Sequence, residues 1–286
     1  MPPIVDFNFT NSQRPQPRQL FRASDGDTPV IEQPVRMVSC DTPEKSGYAG
    51  KPLVSQPKLD TCRQRLESNF YNAIPQPMRQ YFIERLTADA AEKHIAAGEE
   101  ASAVFDSMLE TRLTRPTGTK RPVAIIATGE IIDIYGRLLA YMAPWYNNTP
   151  SDPLPPLGDP ARNTFNLDMI ANGWAAFFPV YPSLPKDVDM NLAIAAAEAA
   201  WDDERGVWGE FGTTFLVGYE YRACVKLGVA ATADDGIAQA FQRVCVDLRN
   251  LQIVGKFGYH AVPPPYRLWI WEDDLAAATV RLELVS

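Results

Sequence analysis

The sequence predicts an α+β protein: a small closed barrel of five strands packed by helices, interrupted by a helical insertion and followed by an α/β extension. Three observations predict it. Asp25-Gly26-Asp27-Thr28 is a tight turn between short strand-like runs, because Asp-Gly favours the left-handed backbone that hairpins need. Ala101, Val104, Phe105, Met108, Leu109 and Leu113 recur at helical spacing. An apolar run at 123–127 then leads through Gly129-Glu130 and Ile131-Ile132 to a second turn, Asp133-Ile134-Tyr135-Gly136.

Residues 1–17 are polar and proline-bearing and read as an extended arm. Residues 19–38 should give two or three strands around the Asp-Gly turn, with Val35-Arg36-Met37-Val38 alternating as a half-buried strand does. Asp41-Thr42-Pro43-Glu44 leaves that strand, and Pro43 fixes the backbone so that Asp41 and Glu44 project from one loop. The stretch KSGYAGKPLVSQPKLD is too polar and too rich in glycine and proline for a strand. Cys62, Leu66 and Phe70 are spaced for a short helix and 78–97 for another, with Pro75 and Pro77 between them. Residues 46–98 thus read as an inserted helical subdomain, its role as lid, dimer contact or scaffold left open. His94 lies on it as a surface or packing residue.

The helix of 101–113 opens with Glu99 and Glu100, and 123–127 reads as a buried strand. Gly136 lets the backbone turn so that Arg137 heads the next strand. A proline-rich loop at 144–160 precedes a short helix at 167–171, closed by Asn172-Gly173. Met190, Ile194, Ala197 and Trp201 form one helical stripe that Gly206 is placed to cap. In the extension, 213–286, helices are expected at 215–227 and 237–248 and strands at 266–271 and 280–285, packing on the core. Tyr266, Trp269 and Trp271 read as packing aromatics rather than a base-stacking surface.

The 286 residues, 46% hydrophobic and 22% charged, have the composition of a soluble globular protein. No apolar run is long enough to span a bilayer, so no membrane partner is expected. The start, MPPIVDFNFT, lacks the pattern of an export signal; the expected compartment is cytoplasmic, with a secreted mature form left open. The four cysteines have neither metal-ligand spacing nor disulfide-framework density, and Cys40 reads as a buried thiol. A net charge of -8 and no run of Lys and Arg argue against broad electrostatic binding of nucleic acid. With two histidines and no G-x-S-x-G, Walker A or G-x-G-x-x-G motif, an enzyme here works with carboxylates and arginine. Two acids from different turns beside a guanidinium can hold one divalent metal next to one phosphate.

The turn DGDT, the segment RMVSCDTPE with Arg36 five residues before Asp41, the helix opening EEASAVF, the segment DIYGRLLAY, and then FNLDMIANGWA and AIAAAEAAWDDERGVW follow one another in order. Together they resemble the staphylococcal nuclease (thermonuclease) family over roughly 18–44 and 99–210. The resemblance implies an OB-fold barrel over 18–212, interrupted at 46–98. It implies Asp27, Asp41 and the backbone carbonyl of Thr42 as ligands of Ca2+. It casts Glu44 as the acid that orients or deprotonates the attacking water, and Arg36 and Arg137 as the two arginines flanking the phosphodiester. Tyr135 would donate to a terminal phosphate and Tyr181 would contact a base. Two positions depart from the family: Pro179 stands where an aromatic is expected, and Ile134 where a lysine is expected. The implied activity is Ca2+-dependent hydrolysis of single-stranded DNA or RNA, leaving 3'-phosphates. The alternatives are a non-catalytic binding module of the same fold and a latent nuclease regulated by the insertion. On the main reading Asp27, Asp41, Glu44, Arg36 and Arg137 should converge in one pocket.

Overall fold

The computed structural model describes residues 18–285, so the arm expected at 1–17 lies outside the described residues. Strands β1 (Leu20–Ala23) and β2 (Pro29–Ile31) form the hairpin around the Asp-Gly turn, followed by β3 (Val35–Met37) and β4 (Ser39–Asp41). Four helices come next: α1 (Ser46–Ala49), α2 (Pro52–Glu67), α3 (Gln76–Arg85) and α4 (Ala90–Leu113). Strands β5 (Val123–Ile132) and β6 (Leu138–Pro144) lead to α5 (Phe165–Ala171), β7 (Ala176–Phe178), β8 (Val180–Tyr181), α6 (Asp187–Asp202) and α7 (Val207–Glu210). The chain ends with α8 (Gly218–Val229), α9 (Ala233–Ala240), β9 (Arg243–Asp247), β10 (Gln252–Gly255), β11 (Arg267–Trp271) and α10 (Leu275–Arg281). The fold is mixed α+β.

Among the described residues the strands form four separate sheets, none of them closed. They are β1-β2, β3-β6-β5, β4-β7 and β10-β9-β11-β8. The single closed barrel expected from the sequence is therefore not found. Within the three-stranded sheet β3 runs parallel to β6, and β5 antiparallel to it. The run at 123–127 is a strand but not a buried one, since Ile125 and Ile126 are 44% and 49% exposed. An apolar run fixes the extended conformation without deciding whether anything covers its faces.

The insertion differs from expectation in its boundaries. Its first long helix, α2, starts ten residues before Cys62, with Pro52 in the first turn, where a missing N–H costs no hydrogen bond. Phe70 lies outside that helix, and the neighbouring Tyr71 fills the core. The helix expected at 78–97 is two: α3 stops at Arg85, and α4 runs unbroken from Ala90 to Leu113. The proposed edge of the subdomain at residue 98 thus falls inside one continuous helix. Leu59, Cys62 and Leu66 of α2, with Phe82 of α3, share one apolar core with Cys224 and Leu227 of α8, Phe241 and Trp269. Two further expectations fail in the extension. Residues 243–247 are a buried strand rather than helix, and 275–281 are helix where a strand was expected at 280–285. Val-Cys-Val carries the β-branched signature, but it abuts a helical stripe and so read as its continuation. The four cysteines are free and buried, as expected for Cys40, whose thiol burial pushes up to about 12. No helix of the described residues is long and apolar enough to cross a membrane.

Candidate functional site

The loop that follows β4 is clasped between two helices, each touching it with a glycine. A Cβ at Gly98 of α4 would stand 2.5 Å from the carbonyl oxygen of Glu44. A Cβ at Gly218, the first residue of α8, would stand 2.5 Å from Asp41 Oδ2 and 2.6 Å from the carbonyl oxygen of Thr42. Only glycine permits such approaches without displacing the loop. The side chains complete the grip. His94 is fully buried on α4, where its Nε2 accepts the backbone N–H of Glu44 at 2.8 Å and its Nδ1 donates to the carbonyl of Leu216 at 2.9 Å. Its ring stacks on Tyr221 at 3.7 Å and on Phe215 at 5.5 Å. Burial depresses the imidazole to about 3, so it stays neutral with its tautomer set by these two bonds. The expectation of a surface or packing residue understated it: His94 positions the Glu44 backbone.

Asp41 has no solvent-exposed side-chain surface and accepts from two guanidinium groups. Arg36 Nη2 donates to Oδ1 at 2.9 Å, and Arg222 Nη2 donates to both oxygens at 2.9 Å. Arg222 Nη1 reaches Glu44 Oε1 at 2.5 Å, so one guanidinium of α8 bridges the two acids. Burial raises the Asp41 carboxyl, but Arg222 and then Arg36 outweigh it and hold it below the usual carboxylate range. The N-terminal end of α8, against which Asp41 lies, favours an anion for the same sign of charge.

Arg222 was not among the residues singled out from the sequence; it is 178 residues from Glu44, and no local motif marks it. A polar network on the far side of α8 fixes its position. Glu220 and Arg267 are both buried and paired at 2.8 Å, and Tyr81 of α3 donates to Glu220 at 2.7 Å. Positions i and i+2 of an α-helix lie about 200° apart, so locking Glu220 on one side aims Arg222 at the other.

The remaining expected site residues separate into three groups. Arg137 pairs with Asp133 of its own turn at 2.7 Å, and its guanidinium lies 5.3 Å from the Tyr135 ring. The parallel register pairs Val35 with Leu138 and Arg36 with Leu139, so Arg137 immediately precedes the strand that lies beside Arg36. Tyr135 is exposed on the turn; Tyr48, whose hydroxyl is raised chiefly by burial, feels the charges of Arg222, Glu44 and Tyr135. Asp27 is exposed on the hairpin, where its Oδ1 accepts from Thr28 Oγ1 at 3.1 Å. Tyr181 is 8% exposed and packs with Val246, Leu268 and Ile270, so it offers no face to a base. β8, which carries Tyr181, pairs with β11 of the extension.

The residues implied as Ca2+ ligands do not fit that ion as arranged. Asp41 spends both oxygens on guanidinium donors, which stand where a dication would have to approach. Among the described residues no three His, Cys, Asp or Glu side chains cluster closely enough to hold a metal. No protein-family model matches the chain, and no curated protein matches it.

Proposed function

We propose that this chain is a phosphodiester hydrolase of the thermonuclease kind, acting on single-stranded DNA or RNA, held closed by α8 of its own C-terminal extension. The observation that carries this reading is the loop itself. One short segment carries Arg36, Asp41 and Glu44, joined by guanidinium–carboxylate bonds from Arg36 and Arg222, and Arg137 immediately precedes the strand beside Arg36. The parallel β3-β6 pair flanked by antiparallel β5 is a three-stranded arrangement compatible with part of an OB-fold barrel and supports the same reading.

In the open form Arg36 and Arg137 bracket a phosphodiester, their planar forks matching its oxygens and the charge that develops on them. Glu44, about a quarter exposed beside them, accepts a proton from the attacking water. In the closed form the Arg222 bridge neutralises Asp41 and Glu44 and ties up both. This differs from latency imposed by the insertion, whose helices support α8 and hold the Glu44 backbone through His94 and Gly98 while the bridge to both carboxylates comes from α8.

Cleavage of a labelled single-stranded oligonucleotide, with Ca2+ and with a chelator, tests this in wild type and in Arg222→Met. Low wild-type cleavage that rises at least tenfold in the Ca2+-supplied variant supports the reading. Oligonucleotide binding without cleavage in either protein replaces it with the binding-module alternative.

A further inference from the structure

α8 also borders a cavity that has no part in the hydrolytic reading, with Arg222 at the edge of both. Tyr219, Arg222, Ala223 and Lys226 follow the i, i+3, i+4, i+7 spacing of one helical stripe, and that stripe faces a cavity of about 50 Å³. Opposite it lies the sheet of β9 and β11, where Arg243 pairs with Trp271 and Cys245 with Trp269. That register sets Arg243 and Trp269 on one face of adjacent strands, and both line the cavity. Four cations line it, Arg222, Lys226, Arg243 and Lys256, and no carboxylate does.

The donors in this cavity are what need explaining. Trp269 is 4% exposed, and its indole Nε1–H is buried with no hydrogen-bond partner. Arg243 Nε is likewise buried and unpartnered, while its guanidinium stacks on Trp271 at 3.8 Å. A buried donor left unmade is costly, and such groups are rare in folded proteins. Two such donors on residues that line one small cavity point to a ligand made of acceptors. Lys226 adds an ammonium that spends one bond on the carbonyl of Gln239, at 3.0 Å. Its charge is disfavoured by burial and then by the neighbouring Arg222 and Arg243. Lys256 is held by Glu272 at 3.0 Å and contributes its charge only.

We propose that this cavity is a binding site for a phosphate group, with Arg243 Nε and Trp269 Nε1 as its buried donors and Lys226 and Arg222 supplying charge. The space suits one tetrahedral oxyanion set against these donors. The phosphate is free inorganic phosphate or the terminal phosphate of a chain whose remainder stays outside.

Calorimetric titration of the full chain with inorganic phosphate at constant ionic strength tests the site. Saturable one-to-one binding is expected, weakened about tenfold or more in Arg243→Met and in Lys226→Met. In Trp269→Phe the phosphate-dependent change in tryptophan emission disappears. Circular dichroism of each variant identifies any that misfolds, and Lys226→Met, at a half-buried helix position, keeps the test intact if Arg243→Met does. A short oligonucleotide bearing a 5'-phosphate distinguishes the sources: tighter binding than free phosphate assigns the chain end, equal or weaker binding assigns the free ion. Absence of saturable phosphate binding overturns the proposal. So does binding that both methionine variants leave unchanged, or equal affinity for an oligonucleotide with no terminal phosphate. Arg243 and Trp269 are absent from the hydrolytic reading, so loss of either proposal leaves the other standing.

Discussion

If Arg222 is what neutralises Asp41, the two residues must be energetically coupled. The structure gives Arg222 two bonds of 2.9 Å to an Asp41 side chain with no exposed surface, and one of 2.5 Å to Glu44. Breaking a buried ion pair from one side typically costs 3–5 kcal/mol, because it strands the other charge. Arg36 still contacts Asp41 after Arg222→Met, so the expected loss is at the lower end, about 3 kcal/mol. Asp41→Asn alone strands Arg36 and half of Arg222, and should cost about 2–3 kcal/mol. The double variant has neither the buried carboxylate nor the buried guanidinium. Its loss should be no larger than that of either single change, which gives a coupling of about 3 kcal/mol or more. Urea unfolding of the four proteins, with equal slopes across the set, measures this directly. Additivity to within about 0.5 kcal/mol would refute the reasoning, because Asp41 would then not depend on Arg222 for its charge.

Three other outcomes follow from the same geometry. His94, whose folded value of about 3 lies below the ordinary 6.5, resists protonation in the folded state; its contribution is complete above pH 6.5 and is lost as pH falls toward 3, by about 5 kcal/mol in total. In His94→Gln the pH-dependence of urea stability between 6.5 and 4 should flatten, and an unchanged slope would mean the imidazole is not what resists acid. Gly98→Ala should lower stability by about 1–3 kcal/mol despite alanine's better helix propensity, since its Cβ meets the Glu44 carbonyl at 2.5 Å; thermal denaturation showing a gain would contradict the clasp. Arg137→Ala, whose partner Asp133 is local and whose side chain is 37% exposed, should cost under about 1 kcal/mol of stability yet lower cleavage about 10²-fold in the Arg222→Met background, with equal cleavage counting against its role at the phosphodiester.

How much of this was legible in the sequence depends on the range of the interaction. The Asp-Gly hairpin, the strand carrying Arg36, the loop from Asp41 to Glu44 and the turn before Arg137 are each set by a few adjacent residues, and each is where the sequence put it. Helix boundaries in the insertion were not, because α2 is stabilised by burying Leu59, Cys62 and Leu66 rather than by local propensity through Pro52 and Pro57. Arg222 and His94 were illegible for a different reason. An arginine on an amphipathic helix usually faces solvent, and only the packing of α8 on α2 and the lock at Glu220 turn it toward Asp41. The burial of Tyr181 was illegible in the opposite sense: its motif position was suitable, but the sheet that buries it is built from residues beyond 243.

The extension and the insertion are then best understood together, through α8. Tyr81 from the insertion, Arg267 from the extension and Glu220 between them make a buried network in which each charged group has its partner. Such a network adds little net stability over apolar packing, but it admits one orientation of the helix and penalises others through unpaired charge. That orientation determines what both sides of Arg222 meet: the acids of the loop after β4 on one, the cation-lined cavity on the other. A rotation of α8 by even one residue, about 100°, would carry Arg222 away from Asp41 and leave a fully buried carboxylate with Arg36 alone. The position of Arg222 against Asp41 and Glu44 is thus enforced from a distance, by a polar lock just over half a turn around the helix from the group it positions.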